Sequence, residues 1–191
     1  VAIKPSGVAY DDLTAERMVV VDLEGNVVEG RLRPSSDTPT HLLLYRSFQQ
    51  IGGVAHTHSP RATAFAQARL EIPCLGTTHA DHFSGPVPVT RPLTAEEVEE
   101  DYERNTGKVI IERFVDLDPR AMPAVLAAGH GPFCWGRGPL DAVATAAALE
   151  AVAAMALATR LLRPESPLLE DYLRDKHFRR KQGPGASYGQ K

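Results

Sequence analysis

The spacing of apolar residues changes several times along the 191-residue chain, and each change predicts an element. Lys4-Pro5-Ser6-Gly7 is a turn signal. The β-branched run Met18 to Leu23, the turn residues Glu24-Gly25-Asn26 and the return through Val27-Val28 predict a hairpin. Between Thr38 and Gln50, Leu44, Tyr45 and Phe48 fall at i, i+1 and i+4, and Pro39 suits a first helical turn, so a helix is expected just after Asp37. Gly53-Val54-Ala55-His56-Thr57-His58 is a short strand-like run that opens on Gly-Gly, and Ser59-Pro60 supplies a cap and a first-turn proline for a helix through Ala68.

Thr94-Ala95-Glu96-Glu97 has the spacing of a capping box and opens a charged helix expected to pause around Asn105-Thr106-Gly107. Ala124 to Trp135 reads as two short strands turning at Gly129-His130-Gly131. The Ala-rich stretch from Ala142 to Leu162 predicts a long buried helix ending before Pro164, and a last amphipathic helix is expected from about Pro167 to Lys181. Strands interleaved with helices predict a three-layer α/β domain, and the close turn spacing favours a mostly antiparallel sheet.

Composition narrows the partners. With 43% hydrophobic and 24% charged residues, the chain fits one globular domain, residues 1–191, able to hold a buried site. The net charge is -3 and its Lys and Arg residues are scattered, so neither nucleic acid nor an anionic membrane is a favoured partner, and any anionic ligand is bound locally. No apolar run reaches the roughly 18 to 20 residues that span a bilayer, because Thr145, Glu150 and Thr159 interrupt the Ala-rich stretch. Cys74 and Cys134 share no CxxC spacing and are expected to serve packing, which together with the lack of a visible signal peptide points to a cytoplasmic location.

Two clusters of chemistry stand out. Residues two apart on a strand project to one face, so His56 and His58 can aim both imidazoles at one ion, about 2.0 to 2.1 Å from each nitrogen. A strand histidine can equally satisfy a core hydrogen bond. His130, between two glycines at a turn, offers a third imidazole, and Asp37 offers a hard oxygen or an ordinary helix cap. His79-Ala80-Asp81-His82 is a rival donor set that spacing alone does not exclude. A metallo-hydrolase of the HxHxD type fails, because Pro60 follows Ser59 where the second acid would sit. Ser6-Gly7 and Ser35-Ser36, the latter leading through Asp37-Thr38 into a helix start, can bind a phosphate through hydroxyls and turn amides, or be plain β-turns.

These residues resemble the class II aldolase and epimerase family. The resemblance runs through Ile3-Lys4-Pro5-Ser6-Gly7-Val8, Pro34-Ser35-Ser36-Asp37-Thr38-Pro39-Thr40-His41, Gly53-Val54-Ala55-His56-Thr57-His58-Ser59 and Gly76-Thr77-Thr78-His79-Ala80-Asp81. It continues through His130-Gly131-Pro132-Phe133, Trp135-Gly136 and Asp175-Lys176-His177 to Tyr188-Gly189-Gln190, covering essentially the whole chain. It begins without the family's N-terminal helical segment and Gly-Asn-x-Ser loop.

The resemblance implies a central antiparallel sheet flanked by helices and a divalent ion, Zn2+ or Mn2+, on Asp37, His56, His58 and His130. It implies that Ser6, Gly7, Ser35 and Ser36 contact a substrate phosphate. Asp81 becomes a catalytic acid/base beside the metal, with Tyr188 as its counterpart, and Thr77, Glu103, His177 and Arg180 match further active-site positions. From local sequence alone Tyr188 would be a tail aromatic, and His177 with Arg180 a solvated basic face. The resemblance further implies a homotetramer with active sites at subunit interfaces. The activity it implies is epimerisation of L-ribulose 5-phosphate to D-xylulose 5-phosphate at C4. The C4 proton is not acidic, so inversion there needs cleavage and re-formation of the C3–C4 bond. The alternatives are a class II aldolase releasing the aldehyde and a non-catalytic adducin-head-like module. The aldolases carry Glu where this chain has Asp37, and the intact metal and acid/base positions oppose the adducin-like reading.

Overall fold

The computed structural model describes residues 1–182 and Ala186; Tyr188 lies outside the described residues. In chain order the strands and α-helices are β1 (Ala2–Ile3), β2 (Val19–Val21), β3 (Val27–Glu29), α1 (Thr38–Ser47), β4 (Gly53–His56), α2 (Pro60–Ala68) and α3 (Thr77–Ala80). Then follow α4 (Ala95–Arg113), β5 (Ala124–Ala127), β6 (Gly131–Gly136), α5 (Pro139–Leu162) and α6 (Asp171–Gln182). The chain forms two compact units, Val1–Gln49 with Leu93–Ile111, and Gln50–Pro92 with the described part of Glu112–Lys191. Each carries one three-stranded antiparallel sheet, in the orders β1-β2-β3 and β4-β6-β5. The expected α/β class with antiparallel pairing holds, and the strands fall into two groups of three among the described residues.

In the first unit the β2–β3 turn is built by Asp22, whose carboxylate accepts from the Glu24 and Asn26 amides and the Asn26 side chain at 2.8 to 3.0 Å. Val19 and Val21 point to one face and pack with Leu42 of α1. The capping box at α4 forms as expected: Thr94 N donates to Glu97 Oε2 at 2.9 Å, and Glu97 N donates to Thr94 Oγ1 at 3.2 Å. The expected pause at Asn105-Thr106-Gly107 does not occur. The helix runs through it and departs from helical geometry at Asp101 instead, where Asn105 Nδ2 donates to the Glu97 carbonyl at 2.7 Å. Gly107 is there for close packing: a Cβ would lie 3.0 Å from Leu43 Cδ2 and 3.4 Å from Thr40 Cα.

In the second unit β6 is the central strand, with Val54 opposite Trp135, His56 opposite Phe133 and Ala127 opposite Gly131. The β5–β6 turn falls at Gly129-His130 as predicted, with Gly129 at φ +74. β5 and most of β6 are buried, including both faces of Phe133-Cys134-Trp135. Cys74 and Cys134 are free and buried, in agreement with a packing role. The last helix starts at Asp171 rather than near Pro167. Ser59 does not cap α2 with its hydroxyl; the Glu150 carboxylate of α5 accepts from the Arg61 and Ala62 amides at 3.0 Å and satisfies that helix end from across the fold.

α5 is not the wholly buried helix expected. It buries Ala142, Leu149, Val152, Ala153 and Ala156 and exposes Leu140, Val143, Met155, Leu161 and Leu162. By length and composition it could cross a membrane, since an apolar outer face adds to an apolar inner one. Glu150→Ala is expected to lower stability by about 1–2 kcal/mol through the lost cap, with Glu150→Gln closer to wild type. Urea unfolding followed by circular dichroism measures the difference, and equal midpoints for all three proteins would remove Glu150 from this role.

Candidate metal and acid/base site

β4 ends on His56, and the chain continues extended far enough to bring His58 to the same side, while the β5–β6 turn carries His130. The three imidazoles converge. One ligand nitrogen of each lies within 4.8 Å of the others, and ring centroids are 4.7 to 5.0 Å apart. His56 Nδ1 lies 2.9 Å from the Pro132 carbonyl oxygen, which can only accept, so Nδ1 carries the hydrogen and Nε2 presents its lone pair to the centre. His56 Nε2 and His58 Nε2 are 3.2 Å apart, close to the roughly 3.3 Å expected between two nitrogens sharing one tetrahedral ion at about 2.0 to 2.1 Å.

The surroundings hold this geometry. Phe133 stacks on His56 with centroids 4.1 Å apart. A Cβ at Gly131 would stand 2.9 Å from the Thr57 carbonyl oxygen, 3.4 Å from His58 Cδ2 and 3.6 Å from His56 Cε1, so only glycine lets the turn approach this closely. The donor set therefore fits a divalent ion. The rival cluster does not assemble: His79 is buried and its Nε2 donates to the Gly85 carbonyl at 2.7 Å. Burial holds its pKa down to about 4, so it is a neutral core histidine.

Asp37 stands at the N-cap position of α1 without a side-chain capping bond, which leaves its carboxylate uncommitted to the cap reading. In the same unit a bridge between Pro5 and Pro34 pairs the two serine-bearing turns, with Ser6 N donating to Arg33 O at 2.9 Å and Ser35 N to Lys4 O at 3.0 Å. Ser6-Gly7 and Ser35-Ser36 therefore lie side by side. A cavity of about 410 Å3 opens at Ser35, Ser36 and Thr38, with Arg33, Arg46 and Arg104 along its wall. Glu103 belongs to this unit too, and its backbone carbonyl accepts from the Thr40 hydroxyl. Burial, Glu103 and Asp37 raise the Tyr102 pKa.

Asp81 follows α3, whose first residue is Thr77, and meets α6. Its Oδ1 accepts from His177 Nδ1 at 2.9 Å and Arg180 Nη2 at 3.1 Å; Oδ2 faces Lys181 Nζ at 3.1 Å and Arg180 Nη2 at 3.3 Å. Burial pushes the carboxyl pKa up, but hydrogen bonds from His177, Lys181 and Arg180 and the Lys181 charge outweigh it and hold the value below the usual one. Lys181 escaped the sequence reading, although positions 177, 180 and 181 are i, i+3 and i+4 on one helical face. Lys181 and His82 also line a cavity of about 680 Å3 with Ile51, Gly136 and Arg137. That is the Gly53–Gly136 end of the β4–β6 pair. The triad gathers where His56 closes β4 and the β5–β6 turn leads into β6.

The chain belongs to the class II aldolase and adducin family, whose N-terminal-domain model matches residues 1–157. Among individual relatives, it is 56% identical over 191 residues to the L-ribulose-5-phosphate 4-epimerase UlaF of Salmonella paratyphi B, covering 100% of this chain and 84% of that protein. The UlaF protein of Salmonella typhi matches equally, at 56% over the same coverage. Among solved structures, an L-fuculose 1-phosphate aldolase superposes with a TM-score of 0.76 at 27% identity, covering 93% of this chain and 77% of that one. An aldolase II superfamily protein from Pseudomonas syringae shares the fold, with a TM-score of 0.75 at 17% identity over 96% of this chain and 70% of that one.

The ion cluster on Asp81 predicts a pH-dependent stability. Because the folded carboxyl holds its proton less tightly than the unfolded one, its contribution is present above the ordinary value of 3.8 and is lost as pH falls through the lower folded value. Asp81→Asn is therefore expected to cost stability at neutral pH and progressively less towards roughly pH 2–3. Urea midpoints of both proteins across this range test it; a difference that stays constant would show that the charge cluster is not its source.

Proposed function

We propose that this protein epimerises L-ribulose 5-phosphate to D-xylulose 5-phosphate at C4, with its 191 residues acting as a single class II aldolase/epimerase domain. The observation that carries the reading is the convergence of three imidazole nitrogens within 4.8 Å at the end of β4–β6. The 56% identity over the whole chain to proteins named as 4-epimerases supports this reaction over aldehyde release. An aldolase remains the second reading, because an L-fuculose 1-phosphate aldolase shares the fold at 27% identity. Asp37, one methylene shorter than Glu, favours a ligand over a mobile base.

His56, His58 and His130 would hold a divalent ion, Zn2+ or Mn2+, with Asp37 as the fourth donor. When bound, such an ion supplies Lewis acidity toward a ketose carbonyl and its neighbouring hydroxyl. His56 contributes a fixed tautomer, set by the Pro132 carbonyl. The paired turns of Ser6-Gly7 and Ser35-Ser36 suit the phosphate, which must stay bound while the C4–C5 fragment is detached. Proton handling falls to two positions, the Asp81 cluster with His177 and Arg180, and Tyr188. Thr77 and Glu103 complete the proposed substrate contacts.

The triad is carried by the ends of β4 and β6, and the Asp81 cluster by the end of α3 and by α6. Active sites shared between subunits of a homotetramer belong to the same reading, and the exposed apolar residues of α5 supply a surface that a second copy could cover. A cytoplasmic location fits an enzyme of sugar-phosphate metabolism.

The test is metal content together with turnover. The protein is expected to bind about one divalent ion per chain. It should convert L-ribulose 5-phosphate in an assay coupled to D-xylulose 5-phosphate consumption. His58→Ala should lower metal affinity and rate by more than ~100-fold, beyond the loss typical of an outer-shell partner. Release of free glycolaldehyde phosphate without epimer would favour the aldolase, and neither product from metal-loaded protein would end the enzyme reading.

A further inference from the structure

Two helices carry opposite charges on faces that one copy leaves without partners. The first turns of α4 present Glu96, Glu99 and Glu100, which fall at i, i+3 and i+4 and so share one side of the helix. All three are exposed, and none makes an ion pair or a side-chain hydrogen bond among the described residues. Glu97, between them, is committed to the Thr94 cap. Like charges at this spacing destabilise a helix, so opposing cations would relieve the cluster.

The outer face of α6 is the complement. Arg174 ties Asp171 and Asp175 together, and Arg180 and Lys181 turn to Asp81. That leaves Lys176 and Arg179, both exposed and without an ion pair among the described residues. They share one face with Tyr172, at i, i+4 and i+7. Tyr172 is 75% exposed, a large amphipathic ring of the kind that protein contacts bury.

The chain therefore supplies both halves of a contact. A second copy brings one basic face to every acidic one, in equal number and at the same concentration. Pairing α4 with α4, or α6 with α6, would oppose like charges. When each copy turns α4 to one neighbour and α6 to the other, the contacts run head to tail and close into a ring if the rotation at each step permits.

We propose that the Glu96-Glu99-Glu100 face of α4 docks on the Lys176-Arg179 face of α6 in a second copy of this chain, covering Tyr172. The proposal rests on the homotetramer reading above and deepens it by naming the two surfaces that meet. Charges of this kind speed encounter and select the partner, and salt screens them.

Charge reversal with mixing tests the contact in the full chain. Sedimentation velocity over a dilution series measures the assembly. Glu99→Lys with Glu100→Lys makes the α4 face basic, and Lys176→Glu with Arg179→Glu makes the α6 face acidic. Each double variant alone is expected to assemble at least ~tenfold more weakly than wild type at about 50 mM NaCl. An equal mixture of the two should recover to within about threefold of wild type, because every contact between unlike variants is again complementary. Reversals without effect, or a mixture no tighter than its parts, overturn the proposal and leave a homotetramer to be built from other surfaces. A wild-type chain that stays monomeric throughout overturns the homotetramer reading as well. A second readout needs no variant: a carbodiimide, taking up the water lost, joins a Lys176 amine to a glutamate carboxyl as an amide only where the two touch. In an equal mixture of 14N and 15N wild-type protein, mass spectrometry should find Lys176 joined to an α4 glutamate in mixed-isotope peptides. Such peptides found only with a single isotope would place the contact within one copy and overturn the proposal.

Discussion

The register of β4 against β6 is the constraint on which the rest of the site depends. With His56 opposite Phe133, the histidine ring stacks on Phe133 and its Nδ1 reaches the Pro132 carbonyl. The same register carries β6 back to Gly131, immediately after His130, so strand end and turn deliver three imidazoles to one point. A slip of one residue would turn His56 to the other face of the sheet and separate it from His130. The missing side chain of Gly131 is part of the same constraint, because any Cβ there would press on the Thr57 carbonyl between the two strand histidines.

The two chemical clusters obey opposite electrostatic rules. The triad gathers three imidazoles around one point, with two nitrogens only 3.2 Å apart, an arrangement that a cation would relieve. The Asp81 cluster gathers one anion and three cationic or protonatable donors, and is closed upon itself. One arrangement asks for a ligand; the other fixes a side chain. His79, between them in sequence, does neither, since burial and the Gly85 carbonyl hold it as a neutral core residue.

Much of this was legible before the structure. The strand period of two put His56 and His58 on one side, and the Gly-His-Gly signal located the β5–β6 turn. The capping box at Thr94 formed with both of its bonds. What escaped was tertiary. Gly107 has the sequence signature of a helix break, yet its role is set by Leu43 packing where a side chain would stand. Ser59-Pro60 reads as a self-capped helix start, but Glu150, 89 positions after Arg61, supplies the acceptor. Lys181 was hidden for a related reason: its helical spacing was visible, while the carboxylate that gives it meaning is 100 positions away on another element. The role of Tyr188 lies outside the described residues.

The proposed chemistry gives the two clusters different tasks. A retro-aldol epimerase must loosen one bond and then let the aldehyde fragment turn without escaping, so the groups that hold the carbonyl end and those that move protons at C4 need to face each other across the substrate. The triad stands at the strand ends of β4 and β6, and the Asp81 cluster between the end of α3 and α6. The side chains that α5 leaves exposed, Leu140, Val143 and Met155 among them, form an apolar face beside the buried one that packs into the second unit.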